Sequence, residues 1–398
     1  MGYVKKTAAV MFAAVLGSSV LAGGSQAWAQ DTPGVTKDEV TIGAWVALTG
    51  PVAVYGVPLR AGVQSYFEAI NAKGGVNGRK VNWIVEDNAY NPQQTVAVAR
   101  KLASRDNVLA AVVAHGTAQT AAAFPYFLDE AKIPILLPYA GAKEWYDPPK
   151  QGLFGLHVLY EDQANAIGRW AGKDGYKKVL VVHGAHAAFE NVANNVKPGL
   201  TAVVADGEVE LMPVKIGTTD YAPITLEIAR KKPDAIVAIQ TLNEIVLLAK
   251  GLKQQGVDIP IYSYHPTVAQ ATIKLGGEFV EGLKSLSLTS SPFADTDAAK
   301  QYRADLAKYG GGEEPDFVSY LGYGAAKIFV EALANAKEPI TRESIVQAFA
   351  ELKGYDSGIF PPVSFSAEHA VGGHLLQPME IKSGKWVPVG DIIDVRKF

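Results

Sequence analysis

The chain has seven histidines and no cysteine, so any chemistry it performs rests on imidazole, carboxylate, hydroxyl and backbone groups. The lack of thiols removes disulfides, thiolate metal sites, thiol nucleophiles and the cysteine that anchors a bacterial lipoprotein. His183 and His186 have the spacing of a metal pair. No acidic residue or third histidine falls in register with them, so no metal site is expected. The Gly-x-Gly of "LGYGAAK" (321–327) lacks the third glycine and the preceding strand of a dinucleotide site, and reads as a small-residue helix surface that allows close packing. Beyond the first thirty residues there is no Gly-x-Ser-x-Gly elbow, His-Glu-x-x-His or Walker loop. Neither an enzyme nor a cofactor is therefore expected. What remains is His265 in "YSYHPT" (262–267), set between aromatics and a proline just after a buried apolar run.

The elements that must position such residues follow from periodicity. "VTIGAWVAL" (40–48) reads as a strand, and a helix follows over about 58–72, stopped by Lys73-Gly74-Gly75. "KVNWIVED" (80–87) is a second strand, and Asn91-Pro92 caps and opens a helix to about Ser104. Further strands are expected at 108–114, 133–138, 178–184, 233–240 and 259–264, with amphipathic helices between them. "MEIKSGKWVPV" (379–389) reads as a closing hairpin around Ser383-Gly384. Alternating β and α elements demand right-handed crossovers and parallel sheets covered on both faces. The number of units predicts two α/β lobes.

The first thirty residues carry Lys5 and Lys6, an apolar run over 7–22 and a small-x-small pattern at Ala27 and Ala29, which together predict a cleaved export signal over residues 1–29. No later stretch reads as long and apolar enough to span a bilayer, so an exported, soluble product in the periplasm is expected. A large core is affordable because 48% of the residues are apolar. Without Lys5 and Lys6 the chain holds 35 basic residues against 40 acidic ones, and their scatter argues against nucleic acid as a partner.

In open parallel sheets a ligand sits beyond the carboxyl ends of the strands. Those ends carry "LTGPVAVYG" (48–56), "HGTAQT" (115–120), "PYAGAKEW" (138–145), "HGAHAAFE" (183–190), "QTLNE" (240–244) and "SYHPT", rich in Gly, Thr, Gln and aromatics. Helix N-termini opening from such loops offer free N–H groups to an anion.

"GPVAVYG" with the following "AGVQSYFEAINAKGGVNGRKVNWIVEDNAYNPQQTVAVARKL", and later "GTTDYAPITLEI" (217–228), resemble periplasmic solute-binding proteins of the branched-chain amino acid type that serve ABC importers. The resemblance implies a type I Venus flytrap, with two doubly wound α/β lobes and parallel sheets joined by three hinge crossovers near 157, 287 and 364. The lobes would be 30–157 plus 287–363 and 158–286 plus 364–398. It also implies a monomer that delivers a small ligand to permease subunits in the inner membrane. A periplasmic ligand sensor feeding a signalling receptor is the alternative role.

By the same resemblance, Tyr55 covers the ligand, and Thr117 with the backbone of Ala118 and Gln119 holds its carboxylate. Ala140 and Gly141, after Tyr139, supply further carboxylate contacts. Phe189 falls at an often aromatic position, and Gln240 and Thr241 complete the set from the loop that begins at 240. Two positions depart from the family. Amino-acid binders have threonine where Gly141 aligns and an acidic residue where His265 aligns. An ammonium buried without an anionic partner costs several kcal/mol, and His265 cannot supply the anion. The expectation is therefore a ligand without an α-amino group, an aromatic or other hydrophobic carboxylate, with amino acids or amides as the alternative. His265 would donate a hydrogen bond to an anion or a phenol.

Overall fold

The structure is a computed structural model that describes residues 32–398. The expected export signal lies outside the described residues.

The first sheet is built from β1 (Glu39–Val46), β2 (Lys80–Asp87), β3 (Ala111–Val112), β4 (Ile135–Leu136) and β5 (Leu153–Phe154), all parallel, in the order β2-β1-β3-β4-β5. The pairing of β1 with β2 runs without a break from Glu39 opposite Lys80 to Val46 opposite Asp87. Its helices are α1 (Ala53–Asn71), α2 (Pro92–Ser104) and α3 (Thr117–Ala123), the last continued by wider turns over Phe124–Glu130. Asn91 caps α2 through its side-chain oxygen, which accepts from the N–H groups of Gln93 and Gln94. Helix α1 begins five residues earlier than Pro58, so Tyr55 sits in its first turn and Pro58 lies inside it.

Strands β3 and β4 are much shorter than the apolar runs that contain them. Val113 and Leu137, which directly follow them, have φ values of 60° and 55°. A branched residue there is strained by about 1–3 kcal/mol, and the chain turns out of the sheet at that point. Hydrophobicity extends through the turn because Val113 and Leu137 remain buried, which is why the pattern overstated the strands.

The second sheet follows α4 (Tyr160–Lys173) and contains β6 (Lys178–Gly184), β7 (Glu208–Val214), β8 (Ala235–Ile239), β9 (Ile261–Ser263) and β10 (Lys284–Ser287), parallel to one another. Its helices are α5 (Ala187–Ala193), α6 (Val196–Thr201), α7 (Ala222–Lys231), α8 (Leu242–Gln254) and α9 (Gln270–Gly276). After β10 the chain returns to the first sheet as α10 (Asp297–Tyr309), α11 (Phe317–Asn335) and α12 (Arg342–Glu351). Helices α10 and α11 pack on α1. Arg342 of α12 donates to the carbonyls of Ala131 and Val108 at 3.1 and 3.0 Å. The chain then adds β11 (Leu375–Lys382), β12 (Lys385–Pro388) and β13 (Ile393–Asp394) antiparallel to the second sheet. Ser383 and Gly384, with φ of 51° and 67°, make the tight turn whose twist matches a two-residue hairpin.

Helix α11 corrects one expectation, since by length and composition it would suffice to cross a membrane. It is instead a core helix, 78% buried over that window. Its small residues explain how. A Cβ on Gly322 would lie 2.7 Å from the Leu59 carbonyl oxygen, and one on Gly62 would lie 1.8 Å from that of Ser319. Gly322 of "LGYGAAK" thus serves backbone-close packing of α1 on α11, while Gly324 makes room for Ile359 and Phe360.

Candidate functional site

The site lies where the loops after the strands of the two sheets meet. The turns at Val113 and Leu137 each deliver a ring two residues later, His115 and Tyr139. These two residues form a parallel bridge, and the His115 N–H donates to the Trp45 carbonyl at 2.8 Å. The strained turns therefore carry ring-bearing residues away from the sheet and fix them side by side.

Around Tyr139 the rings form a chain of edge-to-face contacts. Centroid separations are 5.3 Å to His115, 4.9 Å to His157 and 6.1 Å to His265. His157 and His265 stand 5.1 Å apart at 78°. Tyr55 flanks the group at 6.4 Å from Tyr139 and 6.3 Å from His115. All three histidines are at most 3% exposed. Burial lowers His115 to about 4 and His265 to about 3. Burial, followed by its two imidazole neighbours, pushes His157 well below the ordinary range. These imidazoles are accordingly neutral near pH 7, each with one N–H and one bare nitrogen. Among the described residues no hydrogen bond reaches Nδ1 of His115, either ring nitrogen of His157 or His265, or the hydroxyl of Tyr139. The carbonyl of Leu286 lies near enough to His265 to favour its proton slightly.

The position expected to hold a carboxylate has an arrangement of its own. Thr117 opens α3 and is half-buried. Its hydroxyl and the Gly141 N–H lie near enough to the Tyr160 hydroxyl to favour its ionised form, against the burial that raises it, and the Tyr160 N–H donates to the Gly141 carbonyl at 2.8 Å. A Cβ on Gly141 would lie 3.1 Å from the Val158 carbonyl oxygen and 3.2 Å from Cβ of His157. The segment 157–160 is thus packed against Gly141. The Tyr160 hydroxyl lies beside Gly141 and Thr117.

From the second lobe, the first N–H of α8, that of Leu242, donates to the Tyr55 hydroxyl at 3.2 Å. Gln240 is fully buried, gives its amide to the Tyr221 hydroxyl at 2.8 Å and leaves its side-chain carbonyl without a partner. Its backbone carbonyl accepts from the Tyr264 hydroxyl at 3.2 Å, and Tyr264 lies 5.5 Å from Tyr160. The buried Glu244 is engaged elsewhere. It accepts from the Gly217 N–H at 2.9 Å, the Thr241 N–H at 3.1 Å and the Thr241 hydroxyl at 2.8 Å, closing a capping box at the start of α8.

Among the residues expected from sequence, the structure brings together Tyr55, Thr117, Tyr139, Gly141, Gln240 and His265, with Ala140 buried beside them and Thr241 capping α8. Ala118 is exposed. Gln119 is buried and bound to the Tyr90 carbonyl at 2.6 Å. Phe189 is half-buried over Gly184, where a glycine Cβ would lie 3.0 Å from its ring, and makes no ring contact with the group. Tyr262 points the other way, its hydroxyl donating to Asp174 and its ring packed on Trp170. Tyr264, named with Tyr262 among the aromatics of these loops, does join the group through Tyr160, whereas His115, His157 and Tyr160 were missed as contacts. The signal for His157 and Tyr160 was the polar "HVLYEDQ" directly after an apolar run.

Two α/β lobes whose strand-end loops face one another across a buried polar group define a solute-binding flytrap. The chain belongs to the periplasmic binding protein family, whose model matches residues 39–385, and it has the type I fold. It is 23% identical over 328 residues to the Leu/Ile/Val-binding protein homolog 1 of Brucella abortus, covering 82% of this chain and 84% of that one. Among solved structures, it resembles a branched chain amino acid ABC transporter protein from Thermus thermophilus with bound valine. The TM-score is 0.82 at 22% identity, covering 91% of this chain and 99% of that one. It resembles equally a fatty acid ABC transporter substrate-binding protein from Thermomonospora curvata, with a TM-score of 0.81, 22% identity and coverage of 92% and 96%.

Proposed function

We propose that this chain is the periplasmic solute-binding subunit of an ABC importer, capturing a small hydrophobic carboxylate, by preference an aromatic acid, and delivering it to inner-membrane permease subunits. The observation that carries the reading is the buried ring group of His115, Tyr139, His157 and His265 with its unpartnered nitrogens and hydroxyl. Such atoms are costly unless something bonds to them. The rings supply an apolar wall and N–H or O–H donors, which suits an anion on a flat body. None of them bears the negative charge that an ammonium requires. Hinge segments near 157, 287 and 364 would let the lobes close, and contacts from both lobes would favour the closed form.

The test is a thermal-shift screen of residues 30–398 against aromatic acids, aliphatic acids, amino acids and small amides, since a ligand that binds only the folded state raises the melting temperature. Stabilisation by hydrophobic acids and not by leucine, isoleucine or valine supports the reading. Thr117→Val is expected to weaken the best acid by about 10-fold, the worth of a hydrogen bond to a charged group. An unchanged affinity would remove Thr117 from the site.

A second reading, amino-acid binding, is favoured by the names of the relatives and by Glu161. That residue adjoins Tyr160, burial raises its pKa, and its Oε2 is buried without a partner. If leucine-like amino acids stabilise the protein, Glu161→Gln should abolish the effect.

A further inference from the structure

Hydrogen-bond accounting at the ring group defines the ligand more narrowly. His157 and His265 together present two N–H groups and two bare nitrogens, because each neutral imidazole has one of each. The pair is 1% and 2% exposed, its rings stand 5.1 Å apart, and among the described residues none of the four nitrogens makes a full hydrogen bond, the Leu286 carbonyl lying near one N–H of His265. Tyr139 adds an O–H that donates to nothing, and Gln240 adds a buried carbonyl oxygen that accepts from nothing. A plain carboxylate accepts only. It can answer the N–H groups and the Tyr139 hydroxyl, yet it leaves two imidazole nitrogens and the Gln240 carbonyl unanswered. The occupant that satisfies both kinds of group carries a donor as well as an acceptor, and near these neutral rings that donor is uncharged.

We propose that His157 and His265 form a receptor for a hydroxyl group on the ligand, so that this protein selects hydroxylated hydrophobic acids over their unsubstituted counterparts. The inference rests on the carboxylate reading above and deepens it. His157 stands on the segment between β5 and α4, His265 follows β9 of the second sheet, and Tyr139 follows β4 of the first. A hydroxyl at the shared edge of the two touching imidazoles donates to one bare nitrogen and accepts from the other ring's N–H. The carboxylate lies toward Thr117 and Tyr160. A site built to bond a hydroxyl rejects the analogue that lacks it, because its own buried groups are then left unpaired.

Titration calorimetry of residues 30–398 with matched pairs tests this: 4-hydroxybenzoate and benzoate, 4-hydroxyphenylacetate and phenylacetate, 4-hydroxycinnamate and cinnamate, 2-hydroxy-4-methylpentanoate and 4-methylpentanoate. At least one hydroxylated member is expected to bind about 10-fold or more tightly than its partner. His157→Phe should bring that ratio close to one, whatever it does to the affinity for the plain acid, with His157→Gln as the milder variant if the first melts early. Plain acids that bind as tightly as their hydroxylated partners in every pair, or with uptake of a proton by the imidazoles, overturn the inference and leave the carboxylate reading standing. Failure of all eight acids to bind overturns both.

Discussion

The Tyr55 hydroxyl, in the first turn of α1, accepts a hydrogen bond at 3.2 Å from the Leu242 N–H at the start of α8. One partner stands on the first lobe and the other on the second. The bond therefore exists only when the lobes are together. In an opened protein both groups return to water.

Tyr55→Phe removes the acceptor and leaves the Leu242 N–H buried in the closed form, at a cost of about 1–3 kcal/mol. Ligand affinity is expected to fall by about 10-fold. The melting temperature of the unliganded protein should change little, because opening solvates the N–H. Calorimetric affinity and a melting curve on the same variant measure both. A large drop in unliganded stability would mean that the lobes stay closed without ligand.

His265→Glu places a carboxylate at 265, beside His157 and Tyr139. Binding of a hydrophobic acid should weaken by about 100-fold, since two anions would then share a buried site. Leucine should gain affinity by competition assay. Unchanged binding of both would place His265 outside the ligand site.

Stability should depend on pH through the buried imidazoles. His115 and His265 are held at about 4 and about 3 in the folded chain, below the ordinary 6.5. The solvated state thus takes up protons first. Their contribution is complete above pH 6.5 and is lost as pH falls from there toward 4. The loss between pH 7.5 and 5 is about 2 kcal/mol for each. Asp316, raised to about 6 by burial, acts with the opposite sign and restores about 1 kcal/mol over the same interval. For the closed, ligand-saturated protein a lower melting temperature at pH 5 than at 7.5 is expected, with the difference shrinking in His115→Asn.

Gly62→Ala tests the scaffold. Its Cβ would lie 1.8 Å from the Ser319 carbonyl oxygen, so α1 and α11 must separate, at a cost of about 2–3 kcal/mol. Urea denaturation should show a lower midpoint. Since Tyr55 shares α1 with Gly62, a small accompanying loss of affinity is expected; an undiminished midpoint would mean that the two helices pack more loosely than described.

Elements set by local patterns were legible without coordinates. Strands β2 and β6 match their expected ranges at 80–87 and 178–184, because a strand's alternation or unbroken apolarity and its bounding turns are local features. The α2 cap and the Ser383-Gly384 hairpin were equally readable, since Asn-Pro and a Ser-Gly pair act on their immediate neighbours. Harder were β3 and β4, where a buried turn carries the same apolar residues as a buried strand.

The site divides along the same line. The sequence located the strand-end loops, and the resemblance to the amino-acid binders set His265 where they have an acid. Chain order could not reveal that Tyr160 reaches Gly141 and Thr117, or that His157 stands 5.1 Å from His265. Those meetings join residues 19 to more than 100 positions apart, and they depend on how a connecting segment packs against a glycine. The sequence determined which side chains exist and which loops present them. The folded chain decided which of them share one desolvated space, and desolvation gives imidazoles and phenols their unsatisfied hydrogen bonds.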